Sequence, residues 1–87
     1  MNAMSDSFKD NTAKARFEYH VGDQMVFADY RIDGDKLYIN YVEAAPSLRG
    51  TGAAGKLMRH IVDSTPKNIT IIPICGYAAA WMRKNRF

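Results

Sequence analysis

Arg49-Gly50-Thr51-Gly52-Ala53-Ala54-Gly55 sets three glycines behind an arginine and ahead of a stretch with helical periodicity. A glycine-rich turn that opens a helix exposes backbone N–H groups with no intrahelical partner, and the helix dipole adds partial positive charge there. Without Cβ atoms such a backbone can approach a diphosphate closely. Arg49 adds a charge-assisted contact that a structural cap does not need. The same small residues would also serve tight packing of a helix on a sheet. A second reactive group is Cys75, the single cysteine, which cannot form an intrachain disulfide and so leaves a free thiol. A free cysteine is most often a small buried hydrophobe, but a position ahead of a helix modestly favours its thiolate.

Residues 1–13 are polar and aperiodic, which predicts a flexible N-terminus followed by one folded domain over residues 14–87. Phe17, Tyr19 and Val21 alternate with polar neighbours, Gly22-Asp23 supplies a tight turn, and Val26, Ala28, Tyr30 and Ile32 alternate again, as in a β-hairpin. After Asp33-Gly34-Asp35, residues 37–42 form a third strand, completing an antiparallel three-strand meander. Pro46 ends it, because proline cannot donate to a ladder. From residue 51 or 52 a helix runs to about residue 63, with Leu57, Met58, Ile61 and Val62 on one face and Lys56, Arg59, His60 and Asp63 on a solvated one. Pro66 stands just past its end. Residues 69–74 read as a short buried strand whose far end Pro73 weakens, and residues 77–85 as a final helix with Trp81 and Met82 turned to the core. The strand-helix-strand step is a crossover and predicts one parallel seam.

Eighty-seven residues, 47% hydrophobic and 24% charged, make one ordinary globular domain, monomeric or a weak homodimer. The chain holds neither a membrane-length apolar run nor the apolar core of a signal peptide, and a cytoplasmic setting is the expectation. No His, Cys or carboxylate cluster has metal-ligand spacing. The net charge of +3 is unevenly spread: residues 1–45 carry five Lys/Arg against eight Asp/Glu, and residues 46–87 carry seven against Asp63 alone. The cationic half holds the glycine-rich turn, which suits a polyanionic ligand. Nucleic acid is a weaker match, because the basic segment has no reading motif and no pattern of stacking aromatics.

Three phosphate-binding patterns compete for the turn. Gly50 to Gly55 spells G-x-G-x-x-G, but the dinucleotide fingerprint follows the first strand of a parallel unit and needs an acidic residue about 20 positions on. Here an antiparallel meander precedes it, and no Asp or Glu follows Asp63. A Walker A loop needs a hydroxyl after its lysine, and Leu57 follows Lys56. Arg49-Gly50-Thr51-Gly52-Ala53-Ala54 matches the third pattern, R/Q-x-x-G-x-G/A, the acetyl-CoA motif of the GNAT superfamily of N-acetyltransferases. Residues 41–50, with Ile72-Pro73-Ile74-Cys75-Gly76-Tyr77, further resemble short single-domain GNAT-like proteins. Those carry a His-Thr-Glu-Val-Pro-Pro segment before the arginine and a Pro-x-Cys element after the last strand. Tyr41, Val42 and Ala45 depart from that pattern; Glu43, Pro46, Arg49, Gly50, Gly52, Pro73 and Cys75 keep it.

The resemblance implies an α+β GNAT-like fold and transfer of an acetyl group from acetyl-CoA to an amine, with a CoA-binding module that does not turn over as the alternative. It implies that Val42 and Ala44 grip the pantetheine arm through their backbones. Arg49, Gly50, Thr51, Gly52, Ala53 and Ala54 would take the pyrophosphate. Glu43 becomes the candidate general base, unless it is only a solvated carboxylate at a strand end. Strict alternation from Ile39 and Tyr41 would turn Glu43 to the core unless a bulge intervenes. Cys75 is implied as acetyl-accepting nucleophile or as acid to the departing thiolate, with Tyr77 the rival acid. His20 lies away from the site.

Overall fold

The computed structural model describes residues 6–87. Along the chain run β1 (Asp6–Asn11), β2 (Arg16–Val21), β3 (Gln24–Asp33), β4 (Lys36–Ala44), α1 (Ala53–Ser64), β5 (Thr70–Pro73) and α2 (Gly76–Lys84), with 3-10 turns at Thr12–Lys14 and Pro46–Leu48. The strands form one mixed sheet in the order β1-β2-β3-β4-β5. Neighbours are antiparallel except β4 and β5, which are parallel and are joined through α1.

Period-two alternation builds the core on one face of this sheet. Phe17, Tyr19, Val26, Ala28, Leu37 and Ile39 are buried there. Ala53, Leu57, Met58 and Ile61 of α1 meet them at helical spacing, and Ala78 and Met82 of α2 join the same cluster. Each fully buried side chain of this kind contributes roughly 1.5–3 kcal/mol. Thr65 stops α1 by turning its N–H and its hydroxyl onto the Ile61 carbonyl, and Pro66 prevents continuation. No helix among the described residues is long and apolar enough to cross a membrane.

Two features differ from the sequence expectation. The meander has four antiparallel strands, because Asp6–Asn11 pairs with β2 over its whole length. The flexible lead-in expected over residues 1–13 is therefore a strand from Asp6; residues 1–5 lie outside the described residues. Strand β1 is held by its single aromatic, since the Phe8 ring stacks on Phe17 (5.8 Å) and on His60 of α1 (5.0 Å). His60 is thus exposed at its rim but packed between Phe8 and Tyr19, not simply solvated.

The second difference lies in β4. Asp29 faces Tyr41 and Tyr30 faces Ile39, so Asn40 has no opposite number: it is a β-bulge. The extra residue reverses the alternation. Up to Ile39 the odd positions point to the helices; beyond it Val42 and Ala44 do. Tyr41 and Glu43 are exposed on the other face.

That other face, uncovered by either helix, nevertheless holds one buried carboxylate. Glu18 is 3% exposed. It accepts hydrogen bonds from Arg16 Nε (2.6 Å) and Asn11 Nδ2 (2.9 Å) and bonds His20 Nε2 at 2.8 Å. Burial alone would raise its pKa, but the hydrogen bonds from Arg16, Asn11 and His20 and the Arg16 charge outweigh it and bring the carboxyl down from 4.5 to about 2. Between those two values the unfolded chain holds a proton that the folded one does not, so this group's stabilisation is full above pH 4.5 and is lost as pH falls toward 2. Urea unfolding at several pH values should show stability climbing across that window. In Glu18→Gln the climb should be shallower by the equivalent of about one proton.

Candidate functional site

The site forms where β4 and β5 part. Their pairing runs from Lys36↔Thr70 to Ile39↔Pro73. There the Ile39 carbonyl accepts both the Ile74 N–H (2.9 Å) and the Cys75 N–H (3.0 Å), and β5 turns into α2. Since Thr70 and Ile74 donate to β4, the residues between them alternate, and Pro73 directs its missing N–H to the outer edge, where it costs no ladder bond. Pro73 is the last residue of β5, and the strand ends there, one residue short of the expected end.

Beyond Ile39, β4 continues to Ala44 paired with β3 alone. The Ala45 N–H donates to the Met25 carbonyl of β3 at 3.0 Å. By alternation the backbone of Tyr41 and Glu43 also points to β3, and that of Val42 and Ala44 points to the vacated edge. Arg49 Nε donates to the outward Ala44 carbonyl at 3.3 Å. Val42 and Ala44 therefore present an unpaired strand edge.

The turn after β4 is built for close approach. Gly50 and Gly52 have φ of +79° and +88°, the left-handed region that a Cβ resists. Thr51 Oγ1 donates to the Leu48 carbonyl (2.6 Å) and accepts from the Ala53 N–H (3.3 Å), which fixes the turn from within. The Lys56 N–H reaches the Gly52 carbonyl at 3.1 Å. The amides of Gly50, Gly52, Ala54 and Gly55 have no partner among the described residues. They border a cleft of about 340 Å³ whose other walls are Ala44, Leu48, Arg49 and Tyr77. Ala53 is buried and meets the cleft only through its neighbours. A more apolar hollow of about 240 Å³ lies at the opposite end of α1, between Phe8, Phe17, Leu37 and residues 64–69, and shares no residue with the turn.

Tyr77 and Cys75 come together at the start of α2. Cys75 is half-buried against the core and stands at the N-cap position. Tyr77 is 42% exposed and lines the cleft. Burial, and next the charge of a Cys75 thiolate, push the Tyr77 pKa up, so its hydroxyl keeps its proton at neutral pH. The open cleft thus meets the tyrosine rather than the thiol. Glu43 is not beside them: the Asn40 bulge turns it onto the uncovered face, where the Tyr41 hydroxyl donates to its Oε1 at 2.6 Å. Among the described residues no group of three or more His, Cys, Asp or Glu is placed to hold a metal ion.

The sequence expectation for Tyr41 is a motif departure and, under strict alternation, a core-facing ring, whereas the bulge exposes it; for Glu18 there is no expectation. The signal for both was there: Arg16-x-Glu18-x-His20 and Tyr41-x-Glu43 are polar groups at strand spacing, and such spacing puts them on one face.

The model of a GCN5-related N-acetyl-transferase family matches residues 16–87. No curated protein matches the chain.

Two glycines should respond differently to alanine. Gly52→Ala forces a side chain into the left-handed region and should lower stability by about 1–2 kcal/mol in chemical denaturation. At Gly55 an added Cβ meets Trp81 Nε1 at 3.4 Å and, in ordinary contact, the Tyr77 hydroxyl at 3.8 Å and Trp81 Cδ1 at 3.9 Å, and the φ is not positive. Gly55→Ala should change stability by less than about 1 kcal/mol.

Proposed function

Because the chain belongs to the GCN5-related N-acetyltransferase family, which its residues 16–87 match, we propose that it transfers the acetyl group of acetyl-CoA to an amine. The observation that carries this reading is the row of unpartnered amides at Gly50, Gly52, Ala54 and Gly55, bordering a cleft next to an unpaired strand edge. Those groups fit the cosubstrate: four N–H donors and Arg49 for a diphosphate, and the backbone of Val42 and Ala44 for an extended arm that adds to the sheet as a strand would. Arg49 releases the Ala44 carbonyl as it turns to the phosphates. Thr51 and Ala53 hold the turn in shape. A cytoplasmic setting belongs to the same proposal and rests on the lone free thiol.

The thioester then lies where β4 and β5 separate. An alkylamine with pKa near 10.4 arrives protonated, and Glu43 takes the proton, directly or through a water. The freed amine nitrogen forms a bond to the acetyl carbon and gives its second proton to water as the carbon–sulfur bond breaks. Tyr77 gives its proton to the departing sulfur, and its raised pKa keeps that proton available. Solvent restores both groups, leaving N-acetylated amine and CoA. Direct attack is favoured over an acetyl-cysteine because Tyr77, not Cys75, is among the residues that line the cleft.

Calorimetry with acetyl-CoA and a transfer assay over a panel of amines test this. Acetyl-CoA should bind, and Arg49→Ala should weaken it about tenfold or more. Tyr77→Phe should lower kcat about 100-fold, while Cys75→Ala retains transfer. Absence of binding at millimolar acetyl-CoA would defeat the proposal, and loss of transfer in Cys75→Ala would restore the covalent route.

A further inference from the structure

The uncovered face of the sheet carries an aromatic surface at the mouth of the β4–β5 opening. Tyr41, 49% exposed, stands directly past the bulge. Its hydroxyl engages Oε1 of Glu43, leaving the second carboxylate oxygen available. Across the ladder Phe27 faces Glu43 and Asp29 faces Tyr41, with the Phe27 and Tyr41 rings 6.3 Å apart and tilted by 58°.

The charges around these rings are not equivalent. Glu18 is closed off by Arg16, His20 and Asn11. The Arg16 guanidinium also lies over the Phe27 ring, 4.9 Å from its centre, and occupies that aromatic face. Glu43 and Asp29 have no cationic partner among the described residues. Tyr41 is thus a half-exposed aromatic face with Glu43 and Asp29 beside it, neither in an ion pair, although the Arg49 charge also reaches it and Arg16 stands opposite Asp29; aromatic faces attract cations by their quadrupole.

The geometry points to Tyr41 as the residue that positions the acceptor, an unbranched primary alkylammonium laid on its ring with the nitrogen directed to the free oxygen of Glu43. This rests on the acetyl-transfer reading, and it names the acceptor class that the reading leaves open. The hydroxyl bond to Glu43 turns the carboxylate toward the ring, so one group both anchors the ammonium and receives its proton. Approach from this face leaves the cleft side to the acetyl donor.

Pentylamine, protonated at neutral pH, and pentan-1-ol, its uncharged analogue, are titrated into the CoA-saturated protein and followed by backbone amide NMR. Pentylamine should shift Phe27, Tyr41 and Glu43 saturably, and pentanol should not. Tyr41→Phe keeps the ring and should bind within about twofold of the wild type. Tyr41→Ala should raise the Kd about 2–5-fold. Equal response to pentanol, no saturable shift at Tyr41, or an unchanged Kd in Tyr41→Ala overturns the assignment. A parallel acetyl-CoA titration separates the two ideas: shifts at residues 49–55 without an amine response sink only the acceptor site, and an amine response without those shifts sinks the cofactor reading and with it the acceptor role, leaving Tyr41 a cation site alone.

Discussion

One carbonyl decides the shape of this molecule's working region. The Ile39 oxygen takes two consecutive N–H groups, from Ile74 and Cys75, and so ends the only parallel pairing in the sheet. Backbone groups demand partners, and a strand that loses its neighbour must leave its edge to water or to a ligand. From Tyr41 to Ala44 that edge is vacant, one residue after Asn40 has broken the pleat. Opening and bulge are separate devices with a joint effect. The first exposes the Val42 and Ala44 backbone; the second turns the Tyr41 and Glu43 side chains to the opposite face.

The sheet accordingly divides two electrostatic environments. The helices and the glycine turn come from the half of the chain with seven Lys/Arg and one Asp, whereas four of the strands come from the half with eight Asp/Glu and five Lys/Arg. Within the acidic half, Glu18 shows how a carboxylate can be buried without cover from a helix. Three side-chain donors replace its water, and the Arg16 stem and guanidinium shield it while lying over Phe27. Removing any one donor would leave a desolvated charge, which costs more than the bond itself.

How much of this was legible in the sequence depended on whether the governing interaction was local. Phe17, Tyr19, Val26 and Ala28 alternate because half their positions are buried, and a period of two declares that directly. The spacing of Leu57, Met58 and Ile61 likewise fixes the inward face of α1. The turn was legible because a left-handed backbone calls for glycine. Strand β1 was not. Asp-Ser-Phe-Lys-Asp-Asn has one apolar residue, and what holds it is pairing with β2 and the packing of Phe8 on Phe17 and on a distant helix residue, His60. The bulge at Asn40 was hidden too, since no glycine marks it and its register is set by pairing with β3. Strict alternation alone would turn Glu43 to the core; the bulge, which the sequence left open as the alternative, turns it outward.

The strand order in space repeats the strand order in sequence, β1 through β5. Every antiparallel neighbour is therefore reached by a turn of a few residues, and the meander can zip by local closure, with little chain entropy to overcome at each step. The single connection that must span the sheet runs from Ala44 through the glycine turn and α1 to Thr70. The same segment that presents the free amides is thus the longest connection between neighbouring strands among the described residues. Substitutions there act on the speed of assembly as well as on the finished cleft.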